Sequence, residues 1–143
     1  MFIKQISVFL ENKPGRLAEI TGVLAQNDID ISALSIADTT DFGILRLIVS
    51  DPQKAKKALS ESGATVKITD VLAIKISDKP GGLHEALLAL DEEKVAIEYV
   101  YAFVGKKGSD AFVVLRTSNP ELAVQALKRN DFEVASESQI YSL

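Results

Sequence analysis

With 143 residues, 47% of them apolar and 25% charged, and no cysteine, the chain is too apolar for disorder and cannot form disulfides, thiolate metal sites or a thiol nucleophile. Its formal net charge of −4 is spread over interspersed acidic and basic residues, which argues against a nucleic-acid partner, since that binding rests on phosphate neutralisation. No apolar run approaches the roughly 18 residues a membrane helix needs, and Met1-Phe2-Ile3-Lys4-Gln5 lacks the layout of a signal peptide, so a soluble cytoplasmic protein is expected.

Residues 2–10 alternate, with Ile6, Val8 and Leu10 on one face and Gln5, Ser7 and Phe9 on the other, which predicts a half-buried strand. The phrase Glu11-Asn12-Lys13-Pro14-Gly15-Arg16-Leu17-Ala18-Glu19 follows, and Leu17, Ile20 and Leu24 then recur at helical spacing until Asn27-Asp28. A strand over residues 30–37 leads to the polar hairpin Asp38-Thr39-Thr40-Asp41, and residues 42–49 form the next strand. Asp51-Pro52 caps a helix running to about Ser62, and Gly63 releases a strand over residues 64–68. Lys54, Lys56 and Lys57, the one dense basic cluster, are the solvated face of that helix, because Ala55, Ala58 and Leu59 supply its apolar stripe.

The same order then returns. Leu72, Ile74 and Ile76 alternate with Ala73 and Lys75, and Ser77-Asp78-Lys79-Pro80-Gly81-Gly82-Leu83-His84-Glu85 repeats the phrase. Leu83, Leu87 and Leu90 have helical spacing, residues 96–104 and 111–117 read as strands around the hairpin Gly105-Lys106-Lys107-Gly108-Ser109-Asp110, and Asn119-Pro120 caps a helix over residues 121–130. Phe132 to Val134 begins the last strand. Each half is therefore β-α-β-β-α-β, an α+β fold of the ferredoxin-like kind with both helices on one face of an antiparallel sheet.

The expected modules are 1–70 and 71–143. No Gly or Pro interrupts residues 64–76, so a stiff connection is expected, and a core of about 70 residues is marginal alone. Phe9, Ile44, Ile48, Phe112 and Val114 fall opposite the helix-facing residues by alternation, which predicts an apolar sheet face stacked in a homodimer.

A duplicated module whose first strand runs into an Asn/Asp-x-Pro-Gly-x-Leu helix start resembles the ACT domain, and the chain resembles two of them in tandem over its whole length. Asn12-Lys13-Pro14-Gly15-Arg16-Leu17 matches the family's motif, and Asp28-Ile29-Asp30-Ile31 its turn into the second strand. The resemblance implies a small-molecule sensor, usually for amino acids, that is attached to or stands beside enzymes of amino-acid metabolism. It further implies that the Pro-Gly loop of one domain and the start of the second strand of the other enclose the ligand. By position, one candidate site has Asn12, Pro14, Gly15, Arg16 and Leu17 with Ala96, Ile97 and Glu98. The other has Asp78, Gly81, Gly82 and Leu83 with Asp30, Ile31 and Ser32.

Elementary chemistry fits such a ligand. Free N–H groups near Gly15 or Gly81 at a helix start can bind a carboxylate, an oxygen of Asn12, Asp78 or Asp30 can receive an ammonium, and Leu17 or Leu83 offers an apolar wall. The two sites are unequal: Ala96 stands where Asp30 does, Glu98-Tyr99 where Ser32-Ala33 do, and Asp78 with Asp30 would favour a cationic group.

No catalytic constellation stands out. The one histidine, His84, has no evident nucleophile or second metal ligand beside it, and the glycines form no phosphate-cradling loop. Neither a cofactor nor a metal is expected. The leading expectation is a non-enzymatic amino-acid-binding regulatory protein; the alternative is a docking subunit of an amino-acid-biosynthesis enzyme with vestigial pockets. An acylphosphatase-like enzyme lacks a suitable Arg loop, and an RNA-binding module lacks its aromatic strand signature.

Overall fold

The computed structural model describes residues 2–38, 42–103 and 110–141. The hairpin tips expected within 39–41 and 104–109 lie outside the described residues. The chain divides into two compact units, one of Lys4–Asp70 with Tyr141–Leu143, the other of Met1–Ile3 with Val71–Ile140.

The first unit runs β1 (Ile3–Glu11), α1 (Arg16–Gln26), β2 (Ile31–Asp38), β3 (Phe42–Val49), α2 (Pro52–Glu61) and the opening of β4 (Thr65–Ser77). Its strand order is β2-β3-β1-β4, with β1 antiparallel to β3 in the register Ile6↔Leu47, Val8↔Leu45 and Leu10↔Gly43. That register puts Ile6, Val8 and Leu10 beside Leu45, Leu47 and Val49 on one face, where they pack with Ile20, Leu24, Ala55 and Leu59 of the two helices.

The second unit takes the remainder of β4, then α3 (Gly82–Glu92), β5 (Ile97–Ala102), β6 (Asp110–Thr117), α4 (Pro120–Arg129) and β7 (Glu133–Val134). β4 pairs antiparallel with β6 and with β7, and β5 pairs with β6. Its core joins Leu72, Ile74, Ile76, Val113 and Leu115 to Ala86, Leu90, Ala123, Ala126 and Leu127. The expected α+β fold of two β-α-β-β-α-β modules is therefore what the chain adopts.

The first helices of the two modules, α1 and α3, end alike. Asp28 and Lys94 take the left-handed conformation, φ 56° and 58°, so that the next amide turns back: Ile29 N–H donates to the Leu24 carbonyl at 2.9 Å and Val95 N–H to the Leu90 carbonyl at 3.1 Å.

Several details depart from the sequence reading. The strand read over residues 64–68 and the alternating stretch from Leu72 to Ile76 are one strand of 13 residues, β4. A five-residue helix, α5 (Glu137–Tyr141), follows β7; it buries Ile140 completely, and the Tyr141 hydroxyl accepts the Lys4 N–H at 2.9 Å. Leu17 stays 37% exposed, because the core-facing stripe of α1 begins one turn later, at Ile20. Of the proposed apolar sheet face, Ile48 and Val114 are fully buried within a single chain, while Phe9 is 46% exposed. The homodimer argument therefore loses two of its residues.

Candidate functional site

The two Pro-Gly loops share one backbone. Gly15 has φ 87° and ψ −13°, and Gly81 has φ 87° and ψ −8°. This left-handed conformation costs an L-residue about 1–2 kcal/mol. Each glycine occupies the N-cap of its helix, and neither helix receives a side-chain cap.

The N-cap position with no side chain has a consequence for the helix amides. Arg16 N–H reaches the Lys13 carbonyl at 3.3 Å and Gly82 N–H the Lys79 carbonyl at 3.1 Å, and the next bonded amides are those of Glu19 and Glu85, to the Gly15 and Gly81 carbonyls. The N–H groups of Leu17, Ala18, Leu83 and His84 therefore meet no acceptor among the described residues, at the positive end of a helix dipole. By contrast, α2 and α4 cap themselves: Asp51 Oδ1 accepts the Lys54 N–H at 3.1 Å, and Asn119 Oδ1 accepts that of Leu122 at 3.2 Å.

Proline has two different jobs here. Pro52 and Pro120 begin their helices, as sequence rules favour. Pro14 and Pro80 do not; each lies before the left-handed glycine, so the glycine, not the proline, sets up the open helix start.

The loops differ in charge and packing. Glu11 Oε2 pairs with Lys13 at 2.8 Å, and Arg16 reaches Glu19 at 3.1 Å and Glu11 at 3.7 Å. The hydrogen bond from Lys13, then its charge and that of Arg16, hold the Glu11 carboxyl below the usual carboxylate range. In the second loop the place of Arg16 is taken by Gly82, which is buried and lies directly against Ser77. Asn12, Pro14, Gly15, Asp78 and Gly81 are exposed, and Leu83 is half-buried against its core.

The strand starts are also matched. Asp30 N–H donates to Ser50 Oγ at 3.0 Å, and Ala96 N–H to Ser118 Oγ at 3.2 Å. In each copy the ladder slips by one residue just after, between Ile31 and Ala33 and between Ile97 and Tyr99. Ser32 and Glu98 therefore sit in equivalent bulges, which re-aim a side chain. Ser32 is buried, whereas Glu98 is exposed and faces Arg116 at 3.6 Å. Single-sequence reading missed both bulges and the Lys13–Glu11 pair.

Within one unit the two halves of a site do not meet. β2 begins opposite Val49 and ends opposite Gly43, and Gly43 pairs with Leu10 beside the loop. The start of β2 is thus at the far end of the sheet from its own loop, separated by the 11 residues of α1, a length of about 16 Å. The second unit has the same arrangement.

Among the described residues no three His, Asp or Glu side chains are grouped to hold a metal, and no helix is long and apolar enough to cross a membrane.

A family model described as an ACT domain pair matches residues 1–143. The crystal structure of protein BT0572 from Bacteroides thetaiotaomicron is 47% identical, superposes with a TM-score of 0.93, and covers 100% of this chain and 98% of its own. The ligand-free regulatory subunit of aspartate kinase from Thermus thermophilus shares the fold, with a TM-score of 0.65 at 17% identity over 88% of this chain and 90% of that one. The corresponding subunit from Thermus flavus gives 0.59 at 18% identity with the same coverage. No curated protein matches in sequence.

Proposed function

The chain belongs to the ACT domain family, as a pair of such domains, and on that premise we propose that it is a regulatory protein sensing a free amino acid through its two Pro-Gly loops. The observation that carries this reading is the duplicated glycine N-cap. Gly15 and Gly81 leave two consecutive amides bare in each copy, whereas the other helix of each module is closed by its own side chain. A carboxylate placed there gains charge-assisted hydrogen bonds and the favourable end of the dipole.

Asn12 and Asp78, exposed in the same two loops, supply an oxygen for the α-ammonium, and Leu17 and Leu83 a wall for the side chain. Asp30, Ile31 and Ser32, and likewise Ala96, Ile97 and Glu98, join a loop only from a different module, of the same chain or of a second copy. The resemblance in fold to regulatory subunits of aspartate kinase supports a role beside an enzyme of amino-acid metabolism.

The test compares a bound amino acid with its carboxamide by calorimetry. The carboxamide keeps the ammonium and side chain but removes the negative charge, so its heat of binding is lost; equal affinity for both would remove the loops from the site.

A specific observation also favours a protein partner. Leu34 and Ile36 on β2 are 38% and 48% exposed, and Val100 at the equivalent position of β5 is 40% exposed. Apolar side chains on a strand with a free ladder edge suit self-association or docking on a regulated enzyme.

A further inference from the structure

A groove of about 680 Å³ lies wholly within the first unit, away from the second-strand start. Its lining combines Phe9 and Phe42 with Ile20 and Val23, the carboxylates of Glu11 and Glu19, and the turn Ser62–Thr65 that ends α2. The volume is that of a small-molecule site.

Three differences between the repeats bear on this groove. Gly22 stands in the middle of α1, where glycine costs about 1 kcal/mol relative to alanine. A Cβ there would meet nothing within 4 Å, so no close packing requires the glycine. The second repeat has Leu88 at that place. Ala64, at the groove's other wall, corresponds to Phe132, which packs on its own core. The third difference is electrostatic: α4 carries Lys128 and Arg129 in its last turn, but α2 carries no basic residue in its last turn. The negative end of α2 therefore opens on the groove uncompensated by its own helix.

The charges beside it point the same way. Arg16, the one cation among the described residues of the lining, is shared by Glu11 and Glu19, and Lys13 pairs with Glu11. Arg16 holds Glu19 through Oε2 alone, at 3.1 Å, so the second oxygen of this 65% exposed carboxylate and the α2 terminus face the groove to receive a positive group, beside two phenyl rings of which Phe9 is 46% and Phe42 59% exposed.

We propose that this groove binds a small organic amine with an apolar body, at a site that borders the first Pro-Gly loop at Arg16 but is not lined by the bare amides of Leu17 and Ala18. The apolar body lies on Phe9, Ile20 and Phe42, and the ammonium faces Glu19 and the Ser62–Gly63 carbonyls.

The experiment titrates the full chain with phenethylamine and follows backbone amide NMR peaks, with phenylacetate and ethylamine as controls. Phenethylamine is expected to shift Gly22, Gly63 and Ala64, and both controls to leave them in place. Gly22→Leu, which installs the side chain of the second repeat, is expected to melt no lower than the natural protein and to lose the shifts; Ala64→Phe provides the same block from the opposite wall. Glu19→Gln weakens binding without filling the groove. Equal shifts from phenylacetate, shifts confined to Leu17 and Leu83, or undiminished binding in both folded blocking variants would overturn the proposal.

Discussion

A Cβ placed on Gly82 would lie 2.0 Å from the carbonyl oxygen of Ser77, closer than any side chain can stand. At the corresponding place in the first repeat, Glu11 and Arg16 face each other as an ion pair at 3.7 Å. One repeat thus closes its loop by backbone approach, the other by side-chain charge. Gly82→Ala is expected to destabilise the protein by about 2–3 kcal/mol, in the range of overpacking a tight site. In Gly22→Ala, where a Cβ meets open space, the change is instead a gain of about 0.4–1 kcal/mol. Urea midpoints at unchanged slope measure both.

Thr117 carries a buried hydroxyl with no hydrogen-bond partner among the described residues. The corresponding residue of the first repeat is Val49, fully buried in that unit's core. Thr117→Val replaces the unpartnered oxygen with a methyl of nearly the same shape and is expected to raise stability by about 1 kcal/mol. A lowered melting temperature would mean that the hydroxyl has a function in the folded state.

Acid should act on the first loop through Glu11, whose carboxyl is held below its ordinary range by Lys13 and then Arg16. Because the folded value is the lower one, the stabilisation is present above the ordinary carboxylate range and disappears as the pH falls through the depressed value. An NMR titration of the Glu11 side-chain carboxyl is expected to show the low midpoint, and Lys13→Met to move it upward. An unmoved midpoint would discount the pair. The effect on overall stability is small, since both side chains are largely in solvent.

The loops themselves are tested by Gly15→Val and Gly81→Val. A β-branched residue resists φ near 87° and places its branch beside the bare amides. Each change is expected to cost about 1–2 kcal/mol of stability and to remove ligand binding at its own loop by at least about tenfold, one lost charge-assisted hydrogen bond or more. Calorimetry on the two variants separately assigns the sites; unchanged affinity in both would exclude the loops.

Much of the fold was legible because it follows from periodicity. Ile6, Val8 and Leu10 alternate, Ile20 and Leu24 repeat at helical spacing, and the repetition of the whole pattern doubles the signal. The open helix starts near Gly15 and Gly81 were legible from the repeated Pro-Gly, but the left-handed backbone that makes each glycine the N-cap was not, because it is a dihedral choice that the sequence allows without requiring. The bulges at Ser32 and Glu98 were not legible, because a bulge is a property of strand pairing and not of either strand alone. The helix Glu137–Tyr141 is too short to show periodicity. Ile48 and Val114 looked like an interface by alternation, but alternation says which face a residue is on and not what covers it.

The central claim is that this pair of ACT domains responds to a free amino acid. The most direct test is a thermal-shift screen of the natural protein against the twenty amino acids, with calorimetry on any that shift it. At a concentration about 100 times its dissociation constant, a ligand adds roughly 2.7 kcal/mol of stability, a rise of several degrees for a protein of this size. A selective rise for one amino acid or one chemical group of them is the predicted result. No rise for any of the twenty at millimolar concentration would contradict the account.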